Sequence, residues 1–373
     1  MSLKQQLTHH LLNVPGWHTC RKILVIESDD WGSVRMPSKE VYDEFLRRGI
    51  PVDKDPYCRF DNLATAEDLE ALFDVLTSVK DKNGRYAVLT PNAVVANPIF
   101  DKIRESGFTE YHFEPFTETL KRYGSSHEGV FEMWKQGVDA GIFHPQFHGR
   151  EHLNVKKWLR NLREDVGFTR QAFDLGTFGL TQDVDPNLRR NYMGAFNSAL
   201  PEDMAYYDNL LREGLDLFEQ LFGYRSESFI ATTYTWHPNL EKSLKRYGVK
   251  YLQGMVVQKI PLDDDTTFTT KKTNYCGRKS AEGLTYVTRN CYYEPSHYKE
   301  DWVADCLNRI AIAFFWNKPV VISMHRLNVI GSLDKDNRTT NLTSLGTMLH
   351  EAVKRWPDVE FMSSDELGRI IES

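Results

Sequence analysis

Two adjacent carboxylates end an apolar run near the start of the chain. Residues 23–26 are all aliphatic, Asp29 and Asp30 follow after two intervening residues, and Gly32 supplies a turn. Four consecutive apolar residues predict a strand that is buried on both faces. Neighbours on an extended chain point to opposite sides, so the two carboxylates can have different roles. Taken alone, Asp-Asp-x-Gly is equally typical of a simple turn.

Histidines supply the other groups that could do chemistry. His148 and His152 are four residues apart, a spacing that places two imidazoles on one face of a helical turn, within reach of one metal ion. His325 follows the apolar run 320–324. One carboxylate and two imidazoles leave open positions on an ion, as a catalytic metal requires. Each His alone is also compatible with a structural role, so the prediction depends on the set being brought together.

Alternating strand and helix patterns would position these residues. Thr65 is an N-cap signal before a run with helical periodicity, and 86–90 has the pattern of a strand ended by Pro91. A long helical pattern over 201–222 ends before Gly223. Repeated alternation of this kind predicts a parallel sheet or barrel, whose strand ends meet at one rim.

The domain organisation is predicted to be simple. We expect a single domain over residues 1–373, because the sequence has no linker, internal repeat or low-complexity tract. Residues 254–296 combine polar loops with alternating segments such as 285–293, which indicates a hairpin or loop insertion.

Composition excludes several classes of function. The formal net charge is −6 with 26% charged residues in mixed order, so nucleic acid is not an expected partner. No apolar stretch approaches the roughly 20 residues that span a bilayer. The N-terminus predicts a short amphipathic helix without the apolar centre of a signal peptide, and a cytoplasmic location is expected. The five cysteines lack Cys-x-x-Cys spacing and are expected to be free thiols.

The motifs together resemble those of the polysaccharide deacetylase family, which contains metal-dependent carbohydrate de-N-acetylases. The stretch Glu27-Ser-Asp-Asp-Trp-Gly32 resembles its Thr-Phe-Asp-Asp-Gly motif with one residue inserted before the glycine. His148-Gly-Arg-Glu-His152 resembles its His-Ser/Thr-x-x-His motif, and 321–325 resembles its strand ending in Leu-His. The resemblance extends from about residue 22 to the C-terminus. It implies a distorted (β/α) barrel of about seven strands, in agreement with the alternation.

The resemblance also implies roles for individual residues. Asp30, His148 and His152 would bind a divalent metal, most readily Zn²⁺, although Co²⁺, Ni²⁺ or Fe²⁺ also suit this ligand set. Asp29 would be the general base and His325 the general acid. The implied reaction is removal of an acetyl group from an N-acylated sugar or polysaccharide.

One departure from the family pattern concerns an arginine. The family's third motif carries an Arg that orients the catalytic Asp, whereas the matching segment 228–236 contains neither Arg nor Pro. Either another residue, such as Arg150 or Arg278, supplies the charge, or the activity is weak or altered.

Aromatic residues near the predicted rim are candidates for contact with a sugar. Trp31, Tyr234 and Trp236 could stack on a sugar ring, and Arg150 completes the predicted substrate contacts. Each aromatic residue is also a candidate for ordinary core packing.

Two other functions stay open at this point. His148 to His152 also spells His-x-x-Glu-His, the inverted zinc peptidase signature, with Glu151 as base and Glu227 as a possible third ligand. That reading leaves the Asp pair and His325 without a role. The second alternative is a deacetylase-like barrel that binds a sugar without cleaving it, which the missing Arg favours. The sequence leaves open the oligomeric state and whether the substrate is a polymer or a small glycoside.

Overall fold

The computed structural model describes residues 3–188, 190–262, 267–271, 273–297 and 300–373. Strands and helices alternate along most of this length, and short 3₁₀ turns occur at Val52–Lys54, Ser125–His127, Thr232–Tyr234 and Arg326–Val329. The strands are β1 (Lys22–Trp31), β2 (Leu89–Val94), β3 (Ala96–Pro98), β4 (Phe113–Pro115), β5 (Gln146–Gly149), β6 (Ser228–Phe229), β7 (Tyr251–Gly254), β8 (Gln258–Pro261), β9 (Phe268–Lys271), β10 (Thr285–Thr288), β11 (Cys291–Tyr292), β12 (Val320–His325) and β13 (Val359–Met362). The helices are α1 (Leu3–Leu12), α2 (Lys39–Arg47), α3 (Pro56–Phe60), α4 (Ala66–Thr77), α5 (Phe100–Glu105), α6 (Phe116–Arg122), α7 (Val130–Asp139), α8 (Val155–Glu164), α9 (Thr169–Asp174), α10 (Pro201–Phe222), α11 (Leu240–Arg246), α12 (Trp302–Phe315), α13 (Lys335–Arg355) and α14 (Ser364–Glu372).

The main sheet is parallel throughout. Within the described residues it contains nine strands in the order β10-β7-β6-β5-β2-β1-β12-β11, with β13 beside the first half of β1. Helices pack around this curled sheet, which confirms the predicted barrel of (β/α) type. Two short antiparallel pairs, β3 with β4 and β8 with β9, lie outside it.

Strand β1 is the centre of the sheet. Its aliphatic residues 23–26 are fully buried, as predicted for a strand covered on both faces. One edge of β1 pairs with β12, and the other pairs first with β13 and then with β2. Full burial of an aliphatic side chain contributes about 1.5–3 kcal/mol, so this strand is firmly fixed in the core.

The segment 285–292 belongs to the main sheet, so the prediction that residues 254–296 form a hairpin or loop insertion is wrong for this part of the range. Strand β10 pairs with β7 at one end of the sheet, and β11 pairs with β12 at the other. Between them, the Arg289 N–H donates to the carbonyl of Gly254 at 2.9 Å. The hairpin of this region is instead β8–β9. Residues 263–266 between its strands and residue 272 after them lie outside the described residues. Short alternating strands look the same in a hairpin and in a barrel, because only their partners differ.

The predicted helix ends are largely confirmed. Thr65 and Asp68 form a capping box at the start of α4, and α10 ends at Gly223 with φ of 77°. Helix α1 matches the predicted N-terminal helix, of which residues 1–2 lie outside the described residues.

Strand β2 differs from its prediction. It begins at Leu89 and runs through Pro91 to Val94, although Pro91 was expected to end it. The register between β1 and β2 shifts just after the pair Ser28–Pro91, so a proline without an N–H is tolerated there.

Two expectations from composition concern the whole chain. All five cysteines are free thiols, as predicted. In the part of the chain that the structure describes, no helix combines the length and apolar character that crossing a bilayer demands.

Candidate metal and catalytic site

The predicted site residues meet at the carboxyl ends of the parallel strands. Asp29 and Asp30 lie near the end of β1, and His325 is the last residue of β12, in register with Asp29. His148 lies in β5 and His152 in the turn that follows it. Parallel strands place their functional residues at this rim, since all the strand ends open there.

Asp30 and the two histidines form a buried cluster. Asp30 Oδ1 lies 3.5 Å from His148 Nε2 and 3.0 Å from His152 Nε2. One potential ligand atom from each of the three residues lies within 4.8 Å of the others. The backbone of Asp30 adopts a positive φ of 74°, a strained conformation for which Asp is one of the more tolerant residues. That conformation turns the chain at the end of β1.

The two histidines are not on a helical turn, so that part of the prediction is wrong. His148 is on a strand, and the chain then bends at Gly149, whose φ is 127°. The bend brings His152 back beside His148, with ring centroids 5.0 Å apart. The four-residue spacing brings the two imidazoles together because a strand end and a turn, and not a helix, connect them.

The protonation states of this cluster fit a metal ion. His148 Nδ1 lies 2.9 Å from the carbonyl oxygen of Ile230 and donates to it, which leaves the Nε2 lone pair for a ligand. His148 Nε2 is buried without a hydrogen-bond partner among the described residues. Burial lowers the pKa of His152 to about 4, so its ring is neutral at physiological pH. Two imidazoles and one carboxylate are a suitable donor set for a catalytic zinc-type ion.

A cation also touches the metal-facing carboxylate. Arg35 Nη2 donates to Asp30 Oδ2 at 2.7 Å, and Arg35 Nε lies 3.4 Å from Asp61 Oδ2. Arg326 donates to the other oxygen of Asp61 at 2.9 Å. Burial alone would raise the pKa of Asp30, but Arg35 and the histidines hold it well below its usual value. No motif marks Arg35, whose only signal in the sequence is its position five residues after Asp30.

Asp29 has a different set of partners. Arg289 binds it in a bidentate manner, with Nη2 to Oδ1 at 2.6 Å and Nη1 to Oδ2 at 2.7 Å. Asn92 donates to Oδ1 at 2.7 Å, and the hydroxyl of Tyr234 donates to Oδ2 at 3.1 Å. Burial opposes ionisation of Asp29, but the guanidinium of Arg289 outweighs it and lowers the pKa below the normal range. Asp29 is therefore ionised and oriented.

Arg289 supplies the positive charge that was expected from another arginine. It is fully buried at the sheet closure and also donates to Glu27 at 2.6 Å. Arg150 instead pairs with Glu151, and Arg278 donates to the carbonyl of Thr273. The suggestion that either of those two arginines serves Asp29 is wrong. Arg289 was missed because 285–293 was assigned to a hairpin outside the barrel.

His325 is paired with a carboxylate of its own. Its Nδ1 donates to Glu294 Oε1 at 2.6 Å, and Asn328 holds the other oxygen of Glu294 at 2.8 Å. Its Nε2 is 3.9 Å from Asp29 Oδ2. Burial lowers the pKa of this imidazole, but Glu294 and the Asp pair outweigh burial and raise it to about 9. His325 is thus protonated at neutral pH.

The residues open onto a cavity of about 180 Å³. Its lining consists of Asp29, Asp30, Arg35, Tyr57, His148, His152, Thr181, Asn191, Met193, Thr233, Tyr234 and His325. Of the four predicted substrate contacts, Tyr234 alone is in this lining. The carboxylates, the imidazoles and Arg35 converge on it, which is typical of an active site.

The predictions for Trp31, Trp236 and Arg150 are wrong. Trp31 is fully buried against Trp134 and Phe143 and donates to Ser28. Trp236 is 2% exposed, and its ring nitrogen lies 3.3 Å from a carboxylate oxygen of Glu241. Packing in the core satisfies both rings, because the large apolar area of Trp is better buried than left at a rim.

Arg150 and its neighbour face away from the cavity. Arg150 forms a bidentate pair with Glu151, at 2.6 and 2.8 Å, and stacks over Phe113. Glu151 is fully buried in this pair. Glu227, the other residue of the peptidase alternative, pairs with Lys250 and Arg369. Neither carboxylate lines the cavity with the histidines.

Comparisons with known proteins address the fold. No family model matches the chain, and no curated protein matches it. Among solved structures, a protein described as a glycoside hydrolase/deacetylase from Parabacteroides distasonis matches with a TM-score of 0.50 and 9% identity, over 96% of this chain and 72% of that one. A protein described as a polysaccharide deacetylase from Pseudomonas aeruginosa PAO1 matches with a TM-score of 0.47 and 10% identity, over 94% and 91%.

The comparison with the Parabacteroides protein supports the resemblance at the level of fold. The chain has the curled parallel (β/α) barrel shared with that glycoside hydrolase/deacetylase. At such low identity the likeness carries the fold alone, and function must be argued from the site.

Proposed function

We propose that the protein is a metal-dependent hydrolase that removes an acyl group, with acetyl as the first candidate, from an N-acylated sugar. The observation that carries this proposal is the meeting of Asp30, His148 and His152 with Asp29 and His325 in one cavity. A metal-ligand set, an ionised carboxylate and a protonated imidazole are the three parts that amide hydrolysis needs.

Asp30, His148 and His152 would hold a divalent ion, for which Zn²⁺ suits the donor set best. An ion held by these residues would supply polarisation of an amide carbonyl and would lower the pKa of water from 15.7 toward about 7.

Asp29 would take the proton from the attacking water. Its carboxylate is ionised, and Arg289, Asn92 and Tyr234 fix its orientation. These donors leave it a base with a set geometry, which lowers the cost of reaching the transition state.

His325 would protonate the leaving nitrogen. Glu294 occupies Nδ1, so Nε2 is the nitrogen on the side of Asp29 and the cavity. The raised pKa keeps the proton on the ring until the amine leaves. Base and acid therefore have opposite charge states before the reaction begins.

Two contacts weigh against the other two functions. The sugar-binding alternative depended on a missing Arg, and Arg289 now pairs with Asp29. The peptidase alternative needs Glu151 as a base, and Arg150 occupies both of its oxygens.

The test is release of acetate from N-acetylated sugars by the zinc-loaded protein. Chitooligosaccharides and peptidoglycan fragments are the substrates, with Asp29→Asn as the disabled variant. Asp43→Asn, an exposed carboxylate on α2, is the matched control and should retain wild-type activity. Absence of acetate with wild type and Asp29→Asn alike would refute the proposal.

A further inference from the structure

A long connection forms one wall of the catalytic cavity. The described residues of segment 175–200, between α9 and α10, form neither helix nor strand. Connections longer than about 12–15 residues without regular structure are uncommon in compact domains and are usually functional. Three of its side chains, Thr181, Asn191 and Met193, line the cavity.

Hydrogen bonds fasten this wall on one side. The backbone carbonyl of Tyr192 accepts from the Asn154 N–H at 2.6 Å, and the Tyr192 hydroxyl accepts from the Asn161 side chain at 2.9 Å. The Ala195 N–H donates to Thr232 at 2.9 Å. Both contacts lie within four residues of Asn191 and Met193, so that part of the wall is fixed to α8 and to the turn at 232–234.

Apolar packing fastens its other half. Leu180 and Val184 are buried in a cluster with Phe45 and Cys58. Asp185 accepts from the Phe168 N–H at 2.6 Å and is fully buried. A connection this well packed is a fixed wall, since opening it would expose apolar surface and break buried hydrogen bonds.

The remaining sides of the cavity are also fixed. Tyr57 packs edge-on against His325 with centroids 5.5 Å apart, and Arg35 stacks over its ring. Thr233 and Tyr234 both have positive φ, at 55° and 57°, which is a strained conformation for a β-branched residue such as Thr. Such strain persists where the surroundings over-determine the backbone, as at ligand clamps.

We propose that this site accepts one N-acyl sugar unit at a time, as a free small glycoside or at a chain end, and excludes units inside a polymer. The inference rests on the proposed function. The cavity of about 180 Å³ is below the roughly 300–1,000 Å³ of pockets that bury drug-sized ligands. A unit inside a polymer needs an open path on two sides, and the packed segment 175–200 supplies Thr181, Asn191 and Met193 as a wall along one side of the cavity. Thr181 lines the cavity, and its hydroxyl has no hydrogen-bond partner among the residues that the structure describes.

The first test follows where acetyl groups are lost. The zinc-loaded protein is incubated with methyl N-acetylglucosaminide and with chitooligosaccharides from dimer to hexamer, and products are mapped by mass spectrometry. We expect the glycoside to be hydrolysed and each oligomer to lose a single acetyl group from a terminal unit. Loss of internal acetyl groups at a rate similar to terminal ones overturns the inference while leaving the proposed function intact.

The second test measures binding without turnover. Zinc-loaded Asp29→Asn is titrated calorimetrically with the glycoside and with the hexamer. We expect the glycoside to bind, and the hexamer to bind no more tightly per chain end. Tighter binding of the hexamer by about tenfold or more, or binding of neither ligand, overturns the inference even if catalysis fails.

Variants of the wall sharpen the result. Met193→Ala removes a buried side chain from the lining and should raise the ratio of internal to terminal deacetylation by about tenfold, in the range of one pocket contact. Asp183→Asn, in the same segment but exposed, should leave that ratio unchanged. An equal response of the two variants would contradict a role for the wall.

Discussion

The two carboxylates at the end of β1 are chain neighbours with opposite surroundings. Asp29 accepts from Arg289, Asn92 and Tyr234, so both of its oxygens have hydrogen-bond donors. One carboxylate oxygen of Asp30 lies beside both imidazoles, and the other accepts a hydrogen bond from Arg35. One carboxylate is saturated by donors, whereas the other faces nitrogen lone pairs.

The difference shows how one sequence motif provides two carboxylates with different chemical environments, which suit the two roles proposed for them. A carboxylate surrounded by N–H and O–H donors is a fixed anion and suits a base. A carboxylate that faces two imidazole nitrogens on one side is part of a donor set that suits a cation. Environment, and not residue type, separates the two roles.

The largest expected effect separates metal binding from catalysis. Asp30→Asn should lose zinc affinity by more than about 100-fold, because even an indirect partner of a metal ligand is worth 10- to 100-fold. Asp29→Asn should retain the metal and lose about 10²–10⁴-fold in kcat. Equilibrium dialysis with metal analysis, alongside acetate release, measures both. Loss of metal in Asp29→Asn would erase the distinction between the two carboxylates.

Removal of the guanidinium that binds Asp29 is expected to have the next largest effect, on the stability of the fold. Arg289→Met leaves Asp29 and Glu27 as buried anions, so we expect a loss of about 3–5 kcal/mol in the free energy of unfolding. Chemical denaturation measures this. Arg278→Met, the matched control on a half-buried arginine that contacts no carboxylate of the site, should cost less than about 0.5 kcal/mol. Similar losses in the two variants would contradict the assigned role of Arg289.

A smaller effect is expected on the pKa of His325, the proposed general acid, whose ring faces Asp29. In the metal-free protein, burial lowers the pKa of His325. Glu294 outweighs this effect of burial and raises the pKa to about 9. Because the folded pKa lies above the unfolded value, this pair stabilises the fold fully below pH 6.5, and the effect is lost as pH rises through about 9. Glu294→Gln should lower this pKa and move the alkaline loss of activity to lower pH.

An NMR titration of the His325 ring in the metal-free protein, with pH profiles of the zinc form, checks this prediction. Glu110→Gln, at an exposed carboxylate beside His112, is the control. An unchanged His325 pKa in Glu294→Gln would contradict the pairing.

The smallest effect on activity is expected at Glu151. If this residue were a peptidase base, Glu151→Gln would cost about 10²–10⁴-fold, whereas we expect less than about a tenfold loss of kcat/KM with the metal retained. Stability should fall by about 1–3 kcal/mol, because Arg150 keeps its contact with Glu213. Acetate release and thermal unfolding separate the two effects.

Local patterns were sufficient to predict the reactive groups. The apolar run before Asp29 and Asp30, the spacing of His148 and His152, and the strand before His325 all depend on short-range order. Parallel strands bring their ends to one rim whatever the loops contain, so these groups could be placed together in advance.

Tertiary structure alone decided which partner each group has. Arg289 and Glu294 come from a segment whose short strands pair with opposite ends of the sheet, and periodicity carries no information on strand partners. Trp31 and Trp236 were wrongly placed at the rim, because the direction of a side chain beside a turn depends on backbone angles that the sequence does not reveal. The sequence by itself determined the reactive groups of Asp29 and Asp30, and long-range packing decided their surroundings.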